Sequence, residues 1–185
     1  ALRRVKADGG VAYIGLDVDD DDDVIEDMAE LGAPTGYLVN VMTEDDATIR
    51  SKLEDAALVL IPDGFDLEAL RSGLLGAADE GMRQAFASGA IILAEGNAAS
   101  LFGARYLDAD SRLGDGLDWL HDVVIVPRLT SATQSEAARA VLEAQAVMLV
   151  VGVGTGSALA LGPNGEIETW GSKQVNITLG GQTGQ

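Results

Sequence analysis

Short apolar runs bounded by glycine or turn residues recur along the chain, and between them the apolar positions return every third or fourth residue. Gly10 to Asp17 (GVAYIGLD) predicts a buried strand. In the stretch behind it, DVDDDDDVIEDMAELG, Val24, Ile25, Met28 and Leu31 share one helical face, and Gly32 supplies a stop. GYLVNVMT predicts a strand, EDDATIRSKLEDA a helix and ALVLIPDG a strand. Phe65 to Leu75 and Ala77 to Ser88 predict two helices broken near Gly76. AIILAEGN predicts a strand closed by a tight turn, with AASLFGARY as the helix behind it. After a polar loop rich in Asp and Gly, Asp122 to Pro127 predicts a strand, and Ser131 to Ala144 a helix capped by Ser131.

The end of the chain changes character. AVMLVVGVG, SALALG, EIETWG and KQVNITL read as strands with little helix between them, and Pro163-Asn164-Gly165 is a hairpin signal. A βα-repeating body closed by antiparallel strands predicts an α/β fold of three layers. Its sheet is mostly parallel, with helices on both faces and an antiparallel C-terminal edge. No repeat or linker divides the chain, so residues 1–185 are expected to form one domain.

In such a sheet, ligands collect beyond the carboxyl ends of the strands. Those ends are Asp17, the Thr43 region, Asp63 with Gly64, Glu95-Gly96-Asn97, and Pro127 with Arg128. The candidate ligand-binding residues are therefore Asp63, Gly64, Glu95, Gly96, Asn97 and Arg128.

Composition narrows the chemistry. The chain has 185 residues, 30 acids against 12 bases and a formal charge of -18, which argues against nucleic acid and anionic membrane as partners. Zero cysteines remove thiol nucleophiles and thiolate metal sites, and no metal or cofactor is expected. The apolar runs are far shorter than the roughly 20 residues a spanning helix needs. ALRRVKADGG has no apolar core behind its basic residues, so no signal peptide is expected and a cytoplasmic protein is. The acidity also fits adaptation to a salty cytoplasm. Asp17 to Asp23 fails as an EF-hand loop, because position six is Asp22 and position twelve is Met28. Its expected role is to load a helix N-terminus with negative charge, with a loose divalent-ion site as the alternative.

The sole imidazole, His121, falls at the amino end of the strand Asp122 to Pro127. Five or six residues at about 3.3 Å each put it roughly 17–20 Å from the carboxyl rim, so a surface or loop histidine is expected. Ser100 lies a full turn past Gly96 and reads as a packing residue, and Ser157 lies inside a strand. Lys6, Lys52 and Lys173 are not placed to activate a serine. The turn Gly152-Val153-Gly154-Thr155-Gly156 is glycine-rich like a phosphate loop, but lacks the Gly-Lys-Ser/Thr ending and joins strand to strand.

Three stretches, IILAEGNAASLFG, GLDWLHDVVIVPRL and LVVGVGTGSALAL, carry a resemblance to a known family. Their order resembles the cyanophycinase and dipeptidase E family of serine hydrolases, which has the class I glutamine amidotransferase-like fold. The resemblance implies a homodimer and places the nucleophilic serine on Gly96, or on Asn97 if the register slips by one. It places the family's histidine on Arg128 and its Asp-Glu pair on Gly154 and Thr155. What it implies is a kept scaffold without the acyl-transfer apparatus. If strand order follows the family, Arg128 pairs with Glu95 or Asp63. Two readings of the rim follow: an ion pair plugging the old site, or a pocket for a small polar or carboxylate-bearing ligand, such as an acidic peptide. The expected function is a non-hydrolytic binding or scaffold protein. The alternative is a hydrolase of acidic peptides or amides, with Glu95 or Asp63 activating water.

Overall fold

The computed structural model describes residues 9–16, 30, 36–129, 135–144, 147–162 and 164–180. The chain divides into two compact units, Ala1–Ala98 and Ala99–Gln185.

In the first unit, strands β1 (Val11–Gly15), β2 (Gly36–Asn40), β3 (Leu58–Ile61) and β4 (Ile91–Ala94) form an all-parallel sheet in the order β2-β1-β3-β4. Every residue of β1 is buried, as a central parallel strand requires. Helix α1 (Asp46–Asp55) starts at Asp45, whose carboxylate accepts the N–H groups of Ala47 and Thr48 at 3.1 Å each. It buries Ile49 and Leu53, one turn apart. Helix α2 (Leu67–Leu74) is capped by Asp66 and buries Leu70 and Leu74; helix α3 (Ala77–Ala87) follows the break at Gly76.

The turn after β4 leads into a 3-10 helix, Gly96–Phe102. In the second unit, β5 (Gly103–Leu107), β6 (Leu113–Asp115), β7 (Leu120–Pro127), β8 (Leu149–Val153) and β11 (Val175–Leu179) form a sheet in the order β11-β8-β7-β5-β6. Its centre, β5, β7 and β8, is parallel; β6 and β11 are antiparallel edges. Strands β9 (Ser157–Leu161) and β10 (Ile167–Gly171) make a separate antiparallel pair. Helix α4 (Glu136–Glu143) packs Ala138, Val141 and Leu142 with Val124 and Val150. Val123, Ile125 and Val151 build a second cluster, as alternation along a strand dictates. The mixed α/β class, the parallel strands and the antiparallel C-terminal strands are those the sequence implies.

Two segments differ from expectation. AASLFGARY is not one helix: the 3-10 turn stops at Phe102, and Gly103–Leu107 pairs with β7 instead. Gly103 permits that close pairing, because a Cβ there would lie 2.5 Å from the carbonyl oxygen of Val123. The polar loop that follows contains β6, which satisfies the outer edge of β5. Helix α4 is described from Glu136, with Ser135 as its cap through a 3.2 Å bond from the Ala138 N–H. Ser131 lies outside the described residues, as does the helix stripe of Val24, Ile25, Met28 and Leu31.

Candidate functional site

The carboxyl ends of β1, β2 and β3 open onto a cleft of about 580 Å³, lined by Leu16, Met42, Asp63, Gly64, Phe65, Asp66 and Ala69. Local folding fixes this rim. Past β2, the buried Asn40 side chain accepts the N–H groups of Met42 and Thr43, each at 3.0 Å, which bends the chain and leaves Met42 55% exposed at the edge. Glu44 closes that turn, accepting from the Asn40 N–H and from Lys52, each at 2.9 Å. Past β3, Asp66 accepts the Ala69 N–H at 2.9 Å and starts α2 under the cleft.

The elbow after β4 meets the end of β3. Glu95 donates its N–H to the Ile61 carbonyl at 2.9 Å, extending the ladder by one bond. Gly96 then takes a left-handed φ of +49°, and Ala98 donates back to the Glu95 carbonyl at 3.0 Å. The Asn97 N–H points at Asp63 and donates to its Oδ1 at 2.8 Å. A Cβ built on Gly96 would overlap the Asp63 carboxylate, all three of whose carboxyl atoms lie closer than real Cβ contacts allow. Asp63 therefore occupies the space a side chain at position 96 would need. Of the candidate residues, the structure brings Asp63, Gly96 and Asn97 into direct register, with Gly64 on the cleft wall and Glu95 exposed beside the turn. Arg128 belongs to the second unit, where it is exposed and left-handed (φ +58°) just past β7.

The backbone N–H that follows a nucleophile elbow is a standard oxyanion donor. Here Asp63 receives it. The N–H groups at a helix start favour an anion, and here the Asn97 N–H is already bonded to one, the Asp63 carboxylate.

The remaining chemistry lies elsewhere. His121 sits at the amino end of β7 with its side chain 80% exposed, and its Nδ1 is 2.9 Å from Asp118 Oδ2. Ser100 is only 3% exposed. Ser157 accepts the Gln174 N–H at 2.9 Å, a structural bond across the C-terminal strands. The glycine-rich turn after β8 spends the Gly154 N–H on the Gln174 carbonyl at 2.7 Å. Among the described residues, no group of three or more His, Asp or Glu is placed to hold a metal ion, and Asp17 to Asp23 lie outside them. No helix among those residues is long and apolar enough to cross a membrane.

Sequence reasoning missed Leu16, Met42, Phe65, Asp66 and Ala69 as lining residues. The available signal was their position at or just past the ends of apolar runs.

No protein-family model matches the chain, and no curated protein does. Solved structures do. A peptidase from an acI-B1 actinobacterium superposes with a TM-score of 0.67 at 14% identity, covering 94% of this chain and 81% of its own. A peptidase E-like protein from Listeria monocytogenes EGD-e superposes with a TM-score of 0.61 at 14% identity, covering 92% and 86%. The chain has the α/β fold of these peptidase-like proteins.

Proposed function

We propose that this chain is a non-hydrolytic relative of peptidase E-like serine hydrolases, a cytoplasmic homodimer that binds a small polar ligand at the carboxyl rim of its first sheet. The observation that carries this reading is the Asp63–Asn97 bond. Acyl transfer by this fold needs a hydroxyl on the elbow, a nearby base and a donor for the oxyanion. Position 96 is glycine, and the space for its side chain holds a carboxylate. The following N–H already serves that carboxylate, so a developing oxyanion would meet negative charge where it needs a donor. The sole histidine is paired with Asp118 on an exposed surface.

The alternative, water activation by Glu95 or Asp63 against acidic peptides, has weaker support. Glu95 is exposed, so no enclosing pocket desolvates it. The test is a hydrolysis screen of aspartyl dipeptides and β-linked Asp-Arg peptides. No turnover above blank is expected. Turnover abolished by Glu95→Gln would replace the binding reading with the hydrolytic one.

A further inference from the structure

We propose that a second copy of this chain pairs with edge strand β11, antiparallel to it across a two-fold axis through Ile177. The inference names the interface of the homodimer proposed above and rests on that assembly. Alternation along the ladder fixes which main-chain groups are free. The Gln174 carbonyl accepts the Gly154 N–H at 2.7 Å, and the Gly180 N–H donates to the Met148 carbonyl at 2.8 Å. In this register the even-numbered residues of β11 bond to β8. The N–H and carbonyl groups of Val175, Ile177 and Leu179 therefore point away from the sheet, and no strand among the described residues lies beside that edge.

An edge of this kind is a template for another strand, and proteins that stay apart blunt it with a charge, a proline or a bulge. Val175–Leu179 has none of these: its residues are uncharged, lack proline and run in unbroken register with β8. Its two faces also differ. Val175, Ile177 and Leu179 share one, the last two 49% and 73% exposed; Asn176 and Thr178 share the other, joined by a 2.9 Å hydrogen bond. A two-fold axis at Ile177 sets that residue against its own copy and Val175 against the partner's Leu179. Each of these pairs can exchange N–H and carbonyl, and the apolar side chains stay together on one face.

Charge singles out a second copy as the occupant. The chain carries a formal charge of -18, so two copies repel one another as bodies. Residues 144–185 hold only Glu166, Glu168 and Lys173, a net -1, and β8, β9 and β11 hold no charge. Copies that meet along β11 approach through the part of the chain where self-repulsion is weakest. A basic partner would find no counter-charge on that strand.

The test follows amide hydrogen exchange of the whole chain across a dilution series, with light scattering on the same samples. The Asn176 and Thr178 N–H groups, held by β8 within one copy, should stay protected at every concentration. Protection of the Val175, Ile177 and Leu179 N–H groups should appear where the mass doubles and fall roughly tenfold or more on dilution. Ile177→Pro deletes an N–H that β8 does not use, a change an edge strand tolerates, and should weaken dimerisation roughly tenfold or more. Ile167→Ser removes an apolar side chain of β10 that is 60% exposed and should leave the dimer intact. A dimer whose odd-numbered β11 amides exchange freely would overturn this interface and leave the homodimer standing. A monomer at every concentration would overturn both. Equal loss of the dimer with Ile167→Ser would mean unspecific apolar association, and would overturn the interface as well.

Discussion

Asp63 Oδ1 accepts the backbone N–H of Asn97 at 2.8 Å across 34 residues of sequence, and its carboxylate fills the volume beside Gly96. One contact thus joins the ends of two neighbouring parallel strands, excludes a side chain from the elbow and occupies a donor that acyl transfer would need.

Gly96→Ala should destabilise the protein by about 2–4 kcal/mol, combining a left-handed φ with overlap on Asp63. Urea denaturation measures it. Gly96→Ser should be equally costly and gain no peptidase activity. A neutral Gly96→Ala would contradict the tight packing described here.

Removing the carboxylate relieves the overlap. Asp63→Ala alone should cost about 1 kcal/mol through the lost hydrogen bond. Combined with Gly96→Ala, it should cost less than the sum, with a coupling of about 1 kcal/mol or more in a double-mutant cycle. Strict additivity would show that the two positions do not touch.

Two pH limits follow from particular groups. The Thr48 hydroxyl, 2.7 Å from Asp45 Oδ2, together with the Thr48 and Ala47 N–H groups, holds the Asp45 carboxyl below the usual carboxylate range. A depressed acid contributes stability above its unfolded pKa and loses it as pH falls through the folded one. The α1 cap should therefore weaken only in strong acid, and Asp45→Asn should remove that dependence. Burial, and secondarily Asp55, pushes the Tyr37 hydroxyl above its ordinary value, while burial alone raises Tyr13. Their contribution is present below pH 10 and is lost as pH rises beyond it, because the buried phenolate is disfavoured. Phenylalanine at position 37 should flatten the alkaline limb of a Tm-against-pH curve.

Homodimer formation has a surface to use. On edge strand β11, Ile177 and Leu179 are 49% and 73% exposed on one face. Light scattering should give twice the chain mass, and Ile177→Lys should halve it. A monomer before any substitution would contradict the assembly proposed above.

The strands were legible wherever apolar runs stood between turn residues, as at Val11–Gly15, Leu58–Ile61 and Leu149–Val153. The cap read from the sequence, Ser131, lies outside the described residues, and the caps at Asp45, Asp66 and Ser135 were not singled out, because several Asp and Ser residues crowd each helix start and only the fold selects one. Gly103–Leu107 was not legible as a strand, because its strand identity comes from pairing with β7 and β6 and not from its own pattern. The rim as a set of strand ends could be read, since that depends only on where each run stops. The Asp63–Asn97 bond could not, because it depends on β3 and β4 being neighbours in register, a property of the sheet. His121 could be placed by counting residues along its strand; its Asp118 partner required the left-handed turn at Asp118.

The central claim, that this fold carries no activated serine, is tested most directly by intact-mass analysis after incubation with a serine-directed phosphonate. The account predicts an unchanged mass at full occupancy of reagent. Stoichiometric labelling, at the buried Ser100 above all, would contradict it.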